Sequence, residues 1–146
     1  MFSTATMSRS SKQFANAYRQ VGTETGVAAA SPHKLVAMLF DGFMEAVAQA
    51  RGALRSGDVP AKGRAISHAV RIVEEGLRAS LDLRAGGALA RDLNDLYGYL
   101  SMRLTLANVR NDEAGLDEAQ ALMQPLRDAW MSIADQADTT VPAARR

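Results

Sequence analysis

An all-α fold, an antiparallel four-helix bundle preceded by a short N-terminal docking segment, is what this sequence predicts. Three observations lead there. Apolar residues recur at a spacing near 3.6 in four long stretches. Each stretch is bounded by residues that start or stop helices: Ser31-Pro32, Gly57-Asp58, Gly86-Gly87 and Asn111-Asp112. No alternation of apolar and polar residues reaches strand length. Long helices joined by short loops must run antiparallel to their neighbours.

In chain order, the sequence divides into a flexible N-terminal tail over 1–11, a helical-bundle domain over 12–137 and a flexible C-terminal tail over 138–146. Met1 to Ser11 is rich in Ser and Thr. Phe14, Ala17, Tyr18 and Val21 then fall at helical spacing, in an amphipathic piece too short to be stable unless it docks. Thr23 to Ala30 is a linker of small residues. Helix 1 is predicted from Pro32 to about Arg55, with Ser31 as its cap and Pro32 where a missing N–H does no harm. It carries two apolar rows, Leu35, Met38, Leu39 and Gly42 beside Val36, Phe40 and Phe43. A surface helix needs only one, so helix 1 is either central or offers a second face to a partner.

Gly57 can take the left-handed conformation that closes helix 1, and Asp58 caps helix 2, with Pro60 in its first turn. The stripe Ala65, Ile66, Ala69, Ile72, Val73, Gly76, Leu77, Ser80 and Leu81 carries helix 2 to about Leu83. Helix 3 is predicted from about Gly87 to Val109. Leu89, Leu93, Leu96, Leu100, Leu104 and Ala107 form its main stripe, and Tyr97, Met102, Leu106 and Val109 form a second row. After the Asn111-Asp112 turn, helix 4 holds Leu116, Ala119, Met123, Leu126, Trp130 and Ile133. Pro125 lies inside it and is predicted to bend it; beyond Ala134 the chain turns polar.

Composition narrows the function. At 146 residues, 47% hydrophobic and 23% charged, the chain fits one globular domain with a real core. A net charge of +1, with basic residues interleaved among acids, argues against nucleic acid as a partner. The absence of cysteine removes disulfides, thiolate metal sites and cysteine nucleophiles. No signal-like or bilayer-spanning apolar run is visible, so the expectation is a soluble, cytoplasmic protein without membrane insertion.

Chemistry is hard to place. His33 and His68 have no Glu three residues before them, so the Glu-x-x-His pairs of a bundle metal site are missing. No phosphate-cradling glycine loop and no nucleophile elbow occur, and neither metal nor cofactor is expected. His68, followed by Arg71, is similar to the histidine of phosphotransfer bundles, but Ile72 stands where that motif has Gly. A phosphotransfer-type bundle using His68 and a purely structural bundle are the alternatives to a binding protein. The surplus apolar rows of helices 1 and 3 either pack into the bundle's own core or form a groove for an amphipathic or unstructured partner.

Longer strings sharpen the choice. Tyr18-Arg-Gln-Val21, Ala30-Ser-Pro-His-Lys-Leu35 and Met38-Leu-Phe-Asp-Gly42 resemble the bacterial flagellar secretion chaperone family, FliS. Gly57-Asp-Val, Ala61-Lys-Gly63, Ser80-Leu-Asp82, Gly86-Gly87 with Leu89-Ala90, and Asn94 to Tyr99 continue the resemblance. Ala107-Asn108, Arg110-Asn-Asp112 and Leu126-Arg-Asp-Ala-Trp130 complete it, in order and with similar spacing. The resemblance implies a non-enzymatic cytoplasmic chaperone. It would bind the disordered C-terminal segment of flagellin, prevent premature polymerisation and deliver the segment to the flagellar type III export machinery. It also admits an anti-sigma factor as a partner.

On that reading Phe40, Phe43, Tyr97, Leu100, Leu104 and Leu106 line the flagellin-binding groove, although Tyr97 and Leu104 read equally well as core. Tyr18 and Val21 form an N-terminal self-cap, and exchange of that docking fragment between copies would allow a homodimer. The chain departs from the family pattern at Gly98, where an Asp is usual, and at Met102, where an Arg is common. Ala88 stands in place of a Glu, and Pro125 is unusual in helix 4.

Overall fold

The computed structural model describes residues 31–144, and every described element is helical. Ser31 caps α1 (Pro32–Ser56): its hydroxyl accepts the Lys34 N–H at 3.1 Å. Gly57, at φ 79°, ends the helix; its N–H reaches the Leu54 carbonyl and that of Asp58 reaches Ala53. The Asp58 carboxylate then accepts the Ala61 N–H at 3.1 Å and starts α2 (Val59–Arg71). These terminators act as the sequence predicts.

Helix 2 does not continue to Leu83. From Ile72 to Arg78 the backbone widens into a π-helix, with the Ala79 N–H reaching back to the Glu74 carbonyl, and regular structure stops there. Side chains of the following turn explain the stop. The Ser80 hydroxyl donates to the Gly76 carbonyl, and the Asp82 carboxylate accepts the N–H groups of Arg84 and Ala85 at 3.1 and 3.0 Å. Polar backbone that another helical turn would satisfy is satisfied locally instead.

α3 (Gly87–Arg110) closes on Asn111, a non-glycine residue in the left-handed region at φ 51°. α4 (Glu113–Ala144) runs through Pro125 and beyond Ala134, where the sequence places the start of the polar end. The four helical rods form a square: α1 packs on α2 and α4, and α3 packs on α2, its π extension and α4. At the centre Phe43, Val47 and Ala50 meet Ile72, Leu100, Leu104, Leu116 and Met123, all without exposed surface. Among the described residues no helix is long and apolar enough to cross a membrane.

Candidate functional site

Among the described residues, one end of the square is not filled. Where the π segment stops and α3 begins, the four rods surround a pocket of about 450 Å³. α1 contributes Val36 and Phe40, and α3 contributes Leu89, Leu93 and Tyr97. Opposite them stand Leu126, Ala129, Trp130 and Ile133 of α4, with Leu77, Ser80 and Leu81 closing the side of the π segment. Apart from the Ser80 hydroxyl, these side chains bring carbon or aromatic ring to the wall. Such a space admits apolar side chains and has no cluster of groups for acid–base work.

Each wall is positioned by the helix that carries it. Leu89 and Leu93 sit one turn apart at the start of α3, where that stripe extends past the level at which the π segment ends; Leu89 is 69% exposed. Ile133 plays the same part on α4 and is 49% exposed. Trp130 is held more firmly. Its indole N–H donates to the His33 carbonyl at 3.0 Å, and its ring stacks on the His33 imidazole, centroids 5.2 Å apart. The His33 Nδ1 atom is buried and has no hydrogen-bond partner among the described residues. Phe40 adds a tilted contact to the same indole at 6.5 Å. Tyr97 lies deep in the wall, and burial pushes its phenol up to about 12.

The residues expected to line a groove separate into three groups. Phe40 and Tyr97, both 4% exposed, face the pocket from beneath. Phe43, Leu100 and Leu104 have no exposed surface and belong to the central core, so a ligand could touch them only by prising helices apart. Leu106 is half-buried on α3, away from the pocket. Phe14, Tyr18 and Val21 lie outside the described residues. Sequence reasoning assigned Leu77, Leu89, Leu93, Trp130 and Ile133 to ordinary stripes. The signal available was that the stripes of α3 and α4 continue to their outermost turns.

His68 is exposed on α2, in a shallow, open depression with Arg64, Ser67 and Arg71; Arg71 is paired with Glu75 at 3.3 Å. Among the described residues no group of His, Asp and Glu side chains could hold a metal ion.

Comparison with known proteins bears on this geometry. A family model described as flagellar protein FliS matches residues 14–137. The flagellar secretion chaperone FliS of Salmonella typhimurium is 46% identical over 121 residues, which is 83% of this chain and 90% of that protein. The chaperone FliSB of Pseudomonas aeruginosa is 43% identical over 116 residues, 80% of this chain and 91% of its own. FliS of Escherichia coli is 42% identical over 114 residues, covering 78% and 84% respectively.

Proposed function

Since this chain belongs to the FliS family of flagellar secretion chaperones, we propose that its pocket receives apolar side chains from the disordered C-terminal segment of flagellin. On this reading the chain works in the cytoplasm, keeps that segment from polymerising early and hands it to the flagellar type III export apparatus. It does so by binding, without catalysis.

The observation that carries the proposal is the pocket: an apolar space of about 450 Å³ at the meeting of four helices, with Leu89 and Ile133 left exposed on its rim. Each large side chain buried there contributes about 1.5–3 kcal/mol. Ordering a disordered segment takes back about 2–5 kcal/mol or more. One side chain is therefore not enough, and useful affinity needs several client residues laid along the rim between α3 and α4. Phe40 and Tyr97 form the floor of this site, while Leu89, Leu93, Trp130 and Ile133 form its walls.

Tyr18 and Val21 precede α1 in the chain, and α1 enters the bundle at the pocket end. In the unloaded chaperone this leading segment covers the same apolar walls and yields them to the client.

Calorimetry with a peptide of the flagellin C-terminus tests the proposal. Binding is expected, and Leu89→Glu should weaken it by about tenfold or more because a carboxylate cannot be desolvated in that wall. Silence at high micromolar peptide would remove the reading. Tyr18→Ala should change peptide affinity and leave the melting temperature in place; a large loss of stability would instead make Tyr18 a structural anchor.

A further inference from the structure

The seam between α2 and α3 holds a depression of about 410 Å³, towards the end of the bundle opposite the pocket. On its α2 bank Pro60, Arg64, Ser67 and Arg71 follow at intervals of four, three and four residues, one stripe of the helix. Asn108 of α3 forms the facing bank. Between the banks lies Gly63, whose missing side chain leaves room; a Cβ there would already touch Asn108 Oδ1, at 3.9 Å.

Three hydrogen-bond donors on these banks have no acceptor within the fold. Arg64 and Ser67 are exposed and Asn108 is half-buried. Among the described residues nothing bonds to the Arg64 guanidinium, the Ser67 hydroxyl or the Asn108 side-chain amide. A helical hydroxyl ordinarily returns to the carbonyl four residues back, as Thr105 does to Ser101 at 2.8 Å, and Ser67 does not. A buried charge lies beneath. Lys62 is 3% exposed, and its ammonium bonds only to neutral oxygens, the Asn108 carbonyl at 2.7 Å and Asn111 Oδ1 at 2.5 Å. Among the described residues no carboxylate pairs with it. The negative end of the α3 dipole offsets about half a unit of that charge. The remainder, weakly screened in the interior, acts on the depression through Asn108, which touches both.

Unsatisfied donors in a positive field call for an oxyanion. A phosphoryl group brings three acceptor oxygens and nearly two charges, one oxygen for each of the three donors, where a carboxylate has only two oxygens. The space is larger than that group needs, since it equals more than ten waters at about 30 Å³ each. Pro60 and the aliphatic stems of the arginines supply carbon along the same bank. The geometry points to a binding site for a small phosphate monoester, its phosphoryl group held by Arg64, Ser67 and Asn108 above Lys62 and its organic body lying on Pro60. This site goes beyond client binding and shares no residue with the pocket.

Nuclear magnetic resonance of the full ¹⁵N-labelled chain tests it, with inorganic phosphate and phenyl phosphate titrated at fixed ionic strength. Saturable shifts are expected in the amides of residues 60–71 and in the Asn108 side chain. Phenyl phosphate should bind about fourfold tighter than inorganic phosphate or better, the worth of one buried methylene. Arg64→Gln should raise both dissociation constants by about tenfold or more, and Ser67→Glu should abolish binding by setting a carboxylate among the donors. Arg84→Gln, which removes an exposed cation from the turn before α3, should change neither. Shifts that grow without saturating, or that Arg84→Gln reduces as much as Arg64→Gln does, mean an adventitious ion only and overturn the proposal. Phenyl phosphate that binds no tighter than inorganic phosphate overturns the monoester. If neither phosphate binds and Arg64→Gln instead weakens a flagellin peptide, the depression belongs to the client and the proposal fails, while the pocket reading stands.

Discussion

At the end of the bundle where α2 begins and α3 stops, polar side chains tie each helix to a neighbour. At the other end, where the π segment stops and α3 begins, apolar side chains surround an unfilled space. The closed end is stitched by Lys62, only 3% exposed, whose ammonium donates to the Asn108 carbonyl at 2.7 Å and to the Asn111 side-chain oxygen at 2.5 Å. It thereby closes the C-terminus of α3 with a cation, where the helix dipole favours one. Arg51 and Arg55 of α1 reach Asp117 and Glu113 of α4, and Arg103 of α3 reaches Asp112 and Glu118. Gly115 lets α3 and α4 close up here, because a Cβ at that position would lie 2.7 Å from the Ala107 methyl. At the open end the cross-links among the described residues are fewer: Arg127 with Asp41, Arg78 with Asn94, and Trp130 with the His33 carbonyl. Exposed ion pairs contribute little each, about 0–1 kcal/mol. What they do is hold four helix ends in register, so that space can be left elsewhere without losing the fold.

The contrast is broken most directly by exchanging a core residue for a rim residue. Phe43→Ala should destabilise by about 3–5 kcal/mol, read from urea unfolding, because it removes a fully buried ring at the centre of the helix square. Leu89→Glu, at the rim, should leave stability within about 0.5 kcal/mol while weakening peptide binding by about tenfold or more. A stable Phe43→Ala variant that no longer binds peptide would return Phe43 to the site and undo the division drawn here.

Lys62→Met is the next largest effect. It keeps the stem and removes the ammonium, so the half-buried Asn108 carbonyl loses a charged donor while the exposed Asn111 amide turns to water, at about 1–2 kcal/mol. Peptide affinity should be unchanged, because the loss falls at the closed end.

Acid distinguishes the ends more gently. Hydrogen bonds from Arg55 hold Glu113 below its ordinary value of 4.5, and the Tyr99 hydroxyl, with Arg103, does the same for Glu118. A carboxylate whose folded value is depressed contributes stability that is present above 4.5 and is lost as pH falls through the folded value. The melting temperature should therefore decline on that limb, and Glu113→Gln with Glu118→Gln should flatten it. A limb that keeps its slope in the double variant would place the acid-sensitive contacts away from the closed end.

The division between ends also explains what could be read in advance. Helix boundaries at Ser31-Pro32, Gly57-Asp58 and Asn111 were legible because capping is local: one side chain and the backbone within four residues decide it. The end of the second helix was not, because Ser80 and Asp82 compete with the backbone there and the apolar stripe continues to Leu81 regardless. Within the site, periodicity identifies apolar faces but not whether the facing space is filled. Phe43 and Phe40 lie on the same row; one has no exposed surface and the other borders the pocket. Lys62 illustrates the reverse. It reads as one of many scattered cations, and only the arrival of the α3 C-terminus beside it makes it a buried cap.

Gly98 gives the smallest effect and bears on the wall of the pocket. A glycine in mid-helix is about 0.8–1 kcal/mol less favourable than alanine, so Gly98→Ala should gain roughly that amount in α3. Against the gain stands Arg78. A Cβ at Gly98 would lie 3.0 Å from Arg78 Nη2 and 3.2 Å from Nη1, in space the guanidinium now occupies. That guanidinium bonds to Asn94 at 2.8 Å and to Glu74 at 3.0 Å, and it sits directly after Leu77 of the pocket wall. It is also the far end of a flexible, partly exposed side chain, so it can move a few tenths of an ångström and lose only part of a surface pair, less than about 0.5 kcal/mol. The gain should win, with Gly98→Ala stabilising by about 0.5 kcal/mol in urea unfolding and leaving peptide affinity unchanged. If the variant is destabilised instead, Arg78 cannot yield. The π segment would then be a rigid wall pinned through Asn94 and Glu74, and peptide affinity should fall along with stability.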